Sequence, residues 1–108
     1  MMSQTFVTLP PWMSDLIKEN PGKATKCNHL ESIEVTVSTS KGCEPCLMLG
    51  DTWINLRVCL VCGTVGCCED SKNQHARKHA QSSNHPLVMS IEPGEQWFYC
   101  YADDTLFI

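Results

Sequence analysis

Between Cys59 and His85 the chain reads CLVCGTVGCCEDSKNQHARKHAQSSNH, and no other stretch limits the possible folds so strongly. It holds four of the eight cysteines and three of the four histidines. Cys59 and Cys62 form a Cys-x-x-Cys knuckle, Cys67 and Cys68 are adjacent, His75 and His79 stand four apart, and His85 follows. A second knuckle, Cys43 and Cys46, lies just upstream. Thiolate and imidazole donors at these spacings are what tetrahedral zinc takes. The rest of the chain must wrap around such sites.

A chain of 108 residues makes one small domain. Its hydrophobic share of 43% includes the eight cysteines, so the apolar supply is thin and the core needs staples. The opening MMSQTFVTLPPW has neither the basic start nor the apolar run of a signal peptide. No stretch approaches the roughly 18 apolar residues of a membrane span. A cytoplasmic protein with no membrane partner is expected, and in a reducing compartment thiols bind metal rather than each other. Histidines four apart add nothing to a disulfide framework, which again favours zinc. A net charge of −4 argues against nucleic acid, because zinc modules that bind phosphate backbones carry basic faces. Near the motif Lys72, Arg77 and Lys78 are offset by Glu69 and Asp70.

Residues 1–24 read as a peripheral N-terminal segment and 25–108 as the domain proper. Pro10-Pro11 and Pro21-Gly22 act as breakers, and WMSDLIKEN between them fits either a short helix packing Trp12, Leu16 and Ile17 or a loose leader. Alternation predicts strands at Ile33–Val37, Trp53–Leu60 and Leu87–Ile91, then short ones at Trp97–Tyr101 and Thr105–Ile108. Lys41-Gly42 is expected to turn the chain into the first knuckle, and Glu92–Glu95 to form a turn. Ser71–Ser82 has helix character, with Ser71 as N-cap and Asn84 and Pro86 as stops. On that helix His75 and His79 share one face. The fold class is therefore α+β: a small zinc-stapled domain with a twisted, mainly antiparallel sheet and one main helix.

Each knuckle clamps one metal with both sulfurs, so Cys43/Cys46 and Cys59/Cys62 seed two sites, which Cys67, His75, His79 and His85 complete. Cys27 and His29, two apart in an extended segment, point to one side and can grip a further metal. The pattern CxxC…CxxCG-x-x-GC…HxxxH…HPL resembles the zinc finger of ubiquitin-specific proteases, found also in a class of histone deacetylases, and the resemblance runs from Cys27 to about Asp103. GDTWINLR and PGEQWFYCYADD look like the small stand-alone bacterial versions.

The resemblance implies interleaved sites: Cys43, Cys46, Cys67 and His75 for the first zinc, and Cys59, Cys62, His79 and His85 for the second. It also implies a third zinc, as in members with an N-terminal Cys-x-His and a later Cys-x-x-Cys. Here Cys27, His29 and Cys100 match, but Asp103 stands where the last cysteine would be. Asp103 and Cys68 are the two candidates for the fourth ligand, and the softer thiolate makes Cys68 the expectation. Ubiquitin-binding members hold a free C-terminal carboxylate with an arginine and aromatic walls. In this chain Glu69 takes the arginine position, Tyr99 and Tyr101 take wall positions, and Arg57 replaces a tryptophan.

Ubiquitin-tail binding is therefore disfavoured, since carboxylate against carboxylate repels. The expected function is a zinc-binding, non-catalytic module whose pocket (Glu69, Tyr99, Tyr101) recognises a peptide or protein terminus. The alternative is a zinc- or redox-responsive protein with a labile third site at Cys68 and Cys100. Catalysis is not expected: closed four-ligand sites leave no open position, and neither an H-E-x-x-H motif nor the complete H-x-E…P-C-x-x-C deaminase pattern is present.

Overall fold

The computed structural model describes residues 9–38, 40 and 42–108. The expected turn at Lys41-Gly42 falls partly outside these residues, as does the start of the N-terminal segment. Five short strands form one antiparallel sheet: β1 (Leu56–Cys59), β2 (Val65–Cys67), β3 (Leu87–Ser90), β4 (Phe98–Cys100) and β5 (Thr105–Phe107), in the order β2-β1-β3-β4-β5. Four helices accompany it: α1 (Pro11–Glu19), α2 (Pro21–Lys26), α3 (Glu44–Leu49) and α4 (His75–Ser83). The α+β class with an antiparallel sheet stands. No helix among the described residues is long and apolar enough to cross a membrane.

Register assigns the two faces of the sheet, because side chains alternate along a strand. Arg57 pairs Ser90, Val88 pairs Tyr99, and Tyr99 pairs Leu106, so these share one face. Val58, Met89, Phe98 and Phe107 share the other. That second face is the core. Phe98 and Phe107 stack with centroids 4.4 Å apart, Trp12 of α1 meets Phe98 edge-on, and Met13 is fully buried. Leu16 and Ile17 pack against the same cluster, so the WMSDLIKEN segment is a docked helix.

On the first face α4 lies over β2 and β1. Gly66 makes this possible: a Cβ there would come 2.5 Å from the Ala76 backbone nitrogen. Lacking one, β2 lets the helix approach at backbone distance.

Several local expectations differ from the structure. Ile33–Val37 is not a strand; the amides of Glu34 and Val35 both reach the Leu60 carbonyl. The reason is topological, since β2 and β3 already occupy both edges of β1. Pro21, read as a breaker, instead opens α2, where a missing N–H costs nothing. The main helix starts at His75 rather than Ser71, because the Ser71 hydroxyl is used at long range, accepting the Ile54 amide at 2.9 Å. Gln74, in a left-handed conformation, directs the chain into α4.

Candidate metal centres and an aromatic groove

The two knuckles are placed by different devices. Cys43 precedes α3 and Cys46 sits in its first turn, with Pro45 near the helix start and Gly50, at φ 73°, ending it. Cys59 ends β1, and the Gly63 amide returns to the Cys59 carbonyl in a tight turn at φ 83°. In the first cluster the Cys46 and Cys67 sulfurs are 3.8 Å apart, and His75 Nδ1 lies 3.3 Å from Cys43 Sγ, 3.3 Å from Cys46 Sγ and 3.6 Å from Cys67 Sγ. Zinc with bonds of about 2.3 Å to sulfur and about 2.0–2.1 Å to nitrogen has tetrahedral edges of roughly 3.8 Å (S···S) and 3.6 Å (S···N). The donors fit that ion.

Around this cluster a polar chain orients the ligands, as outer partners do in metal sites. The Asn73 amide donates to Cys46 Sγ (3.6 Å) and to Asp51 Oδ2 (3.0 Å), and the His75 backbone N–H donates to Cys67 Sγ (3.2 Å). The Asn73 bond, with help from Lys72, lowers the Asp51 pKa.

In the second cluster, Cys59, Cys62, His79 and His85 bring their donor atoms within 4.8 Å of one another. Cys62 Sγ lies 3.3 Å from His79 Nε2. His85 Nδ1 is buried without a hydrogen-bond partner among the described residues, an arrangement a protein seldom tolerates. His75 and His79 leave the same helix for different clusters, the interleaving that the resemblance implies.

The third cluster gathers Cys27, His29, Cys100 and Asp103. Cys100 Sγ is 3.5 Å from both His29 Nδ1 and Asp103 Oδ2, and His29 Nδ1 is 2.7 Å from that same oxygen. Burial opposes ionisation of Asp103, but the Asn28 N–H (3.1 Å) and His29 outweigh it and hold its carboxyl below the usual range. The fourth member is thus Asp103, and the expectation of Cys68 is corrected. Cys68 follows β2 while Cys100 ends β4, three strands away, a separation of about 14 Å at normal strand spacing. Its thiol is fully buried and faces the Ser71 hydroxyl at 3.5 Å. A labile site shared by Cys68 and Cys100 has no geometric basis.

Burial pushes the thiols of Cys43 and Cys100 up to about 12 and raises that of Cys59. Loading a cation at these sulfurs must therefore displace protons, so deprotonation and metal binding are one event.

The sheet face that carries α4 also carries a groove of about 1090 Å³ between that helix and β4–β5. Glu69, Tyr99 and Tyr101, the three pocket residues expected from sequence, all line it. The tyrosine rings meet at 89° with centroids 5.1 Å apart. The Tyr101 hydroxyl donates to Glu69 Oε2 at 2.9 Å, and that of Tyr99 donates to Asp104 Oδ1. The Asp104 contact is the main cause that lifts Tyr99 to about 12; burial and then Glu69 raise Tyr101 further.

Sequence reasoning missed Trp97, Arg77, Asp104 and Leu106 of this groove. The signals were present. Trp97, Tyr99 and Tyr101 follow strand period, while Arg77, Ala80, Gln81 and Asn84 form one helical stripe. Arg57 does not line the groove; its guanidinium stacks 4.5 Å over the Trp97 ring from a buried position.

The chain is similar to several known proteins. Over 45 residues, 39% of the chain, it is 44% identical to ubiquitin carboxyl-terminal hydrolase 16 of Mus musculus and to that of Rattus norvegicus. The matched part is only 6% and 5% of those proteins' length. The solution NMR structure of protein RPA1320 from Rhodopseudomonas palustris is similar at a TM-score of 0.67 and 41% identity, covering 75% of this chain and 79% of that one. Residues 43–108 match the family model described as the zinc finger in ubiquitin hydrolases and other proteins. With well over half of its length inside that match, and with clusters of cysteine and histidine that could hold zinc, the chain belongs to this zinc-finger family.

Proposed function

We propose that this zinc-binding domain is a non-catalytic recognition module whose groove receives a peptide or protein terminus. The observation that carries the reading is the groove itself: two perpendicular tyrosines and Trp97 form flat walls beside α4, with charged groups at defined points. Chain ends are captured by such combinations of aromatic walls and polar contacts. Each donor cluster has four members, which suits structural rather than catalytic zinc. The ligand sets are Cys43, Cys46, Cys67 and His75; Cys59, Cys62, His79 and His85; and Cys27, His29, Cys100 and Asp103. All eight cysteines are free thiols, which suits the cytoplasm, and the acidic net charge offers nucleic acid little.

The mouse and rat relatives are ubiquitin hydrolases by name, but Glu69 lines the present groove, and a free carboxylate entering there would meet its charge. Peptides with free, amidated and acetylated termini, titrated into the zinc-loaded protein and followed by NMR, test the reading. Shifts at Glu69, Tyr99 and Tyr101 that depend on a free terminus are the expected result. Silence of these residues toward every peptide sinks it.

A further inference from the structure

We propose that the tyrosine corner of the groove holds the protonated amino terminus of an extended peptide whose first side chain is apolar. This deepens the terminus-binding reading above and rests on it.

The chemistry of the corner is that of a cation site. Tyr99 and Tyr101 touch edge to face at 89°, centroids 5.1 Å apart, so their planes make a corner and a small group seated in its angle, rather than between the rings, meets both. Ring faces carry the negative part of the aromatic quadrupole and attract ammonium groups. Each phenol donates its hydroxyl proton to a carboxylate, Tyr101 to Glu69 and Tyr99 to Asp104. Donation to an anion enriches the ring in electron density and strengthens that attraction. Each carboxylate spends one oxygen on its tyrosine and keeps the other for an N–H donor.

A carboxylate ligand seated at the hydroxyl ends meets the reverse, because Glu69 and Asp104 stand nearest there and the arginines lie behind, Arg57 stacked on Trp97 and Arg77 on α4. Asp104 is held in place by a left-handed backbone (φ 48°), a conformation that aspartate tolerates and most residues resist.

The rest of the groove suits the residue that follows the amine. Leu106, the cross-strand partner of Tyr99, is 39% exposed, and Ile108 beyond it is 67% exposed. They form an apolar shelf beside the corner for the first side chain. Arg77 lies on the opposite wall, on α4. Its charge, with that of Arg57 behind Tyr101, reaches the tyrosines, and the two carboxylates of the corner offset it. Two carboxylates and the shelf of Leu106 and Ile108 set side by side match an ammonium and the first side chain on one carbon, which a lysine in mid-chain does not present.

Three probes separate the outcomes on the zinc-loaded full chain: Leu-Ala-Ala-Ala with a free amine and amidated C-terminus; the same peptide N-acetylated with a free carboxylate; and Ala-Lys-Ala-Ala blocked at both ends. The first is expected to shift the Tyr99 and Tyr101 resonances and to bind at least tenfold more tightly than the other two. Glu69→Gln and Asp104→Asn, both near-isosteric, are each expected to weaken it several-fold while the spectrum stays folded and the zinc content unchanged.

Tighter binding of the acetylated peptide with the free carboxylate overturns the amine assignment and leaves the terminus reading standing. Equal binding of the blocked lysine peptide overturns the terminal source. No shift with any probe overturns both readings. Unchanged affinity in both variants removes the acidic corner from the account.

Discussion

Replacing Gly66 by alanine tests whether the backbone contact between β2 and α4 builds the first metal cluster. The added Cβ would lie 2.5 Å from the Ala76 nitrogen, 2.9 Å from its Cα and 2.9 Å from the His75 carbonyl carbon. Ordinary contact begins near 3.4 Å, so the start of α4 must retreat by about 0.9 Å. No flexible side chain can absorb this, because every atom struck belongs to the backbone. Overpacking typically costs about 1–3 kcal/mol, and a backbone clash belongs at the upper end.

The retreat carries His75 Nδ1 away from three sulfurs now within 3.6 Å. A loss of ~3 kcal/mol corresponds to about a hundredfold weaker zinc at that cluster. By the usual scaling for a domain of this size, the melting temperature falls by roughly 12–24 °C. Competition with a chromophoric chelator measures the first quantity, and a circular dichroism melt the second. Gly22→Ala is the control: a Cβ there meets nothing within 4 Å, and in α2 it should be neutral or gain up to about 1 kcal/mol. Unchanged zinc affinity and melting in Gly66→Ala would refute the reasoning, as would an equal loss in Gly22→Ala.

Other expectations follow from the same geometry. Elemental analysis should count three zincs in the wild type, two in Asp103→Ala and three in Cys68→Ala; loss of a zinc in Cys68→Ala alone would restore that thiol as a ligand. Because the folded Tyr99 pKa is raised from 10 to about 12, its contribution to stability is complete below pH 10 and is lost as pH rises through 12. Ultraviolet titration should show Tyr99 ionising late, and Asp104→Asn should return it toward the ordinary value. Glu69→Arg should shift the groove toward peptides with free carboxylates, including those ending in Gly-Gly. Unchanged preference in that variant would remove Glu69 from the recognition site.

The donors were legible because metal chemistry limits residue type and spacing together. Cys-x-x-Cys and a histidine pair four apart have few alternative meanings, and their partners emerged once the order of ligands was matched. What failed was whatever depended on a tertiary partner. Ile33–Val37 has a strand's alternation, but no sheet edge is free to receive it. Ser71 has a cap's chemistry, but Ile54 claims its hydroxyl. Val65–Cys67 is too short and glycine-containing to announce a strand, yet it supplies the surface on which α4 rests. The choice between Cys68 and Asp103 was likewise decided by strand order. A preference for sulfur over oxygen cannot overcome three strand spacings.

Strand alternation also joins the third cluster to the groove. Along Tyr99-Cys100-Tyr101 the tyrosines line the groove while Cys100 is buried on the opposite side, against His29 and Asp103. In the turn that follows, Asp103 serves the cluster and Asp104 serves Tyr99. One six-residue segment, 99–104, thus supplies two cluster donors, Cys100 and Asp103, and four groove residues, Tyr99, Tyr101, Ala102 and Asp104. Neither function can move without the other. Structural zinc contributes roughly 10–16 kcal/mol in finger peptides, as much as the whole stability of many domains. Metal at the back of this segment therefore fixes the tyrosine corner at its front. It also explains why a carboxylate suffices there: the site has to hold a turn in place, and a charged oxygen that accepts the Asn28 N–H does so without a fourth sulfur.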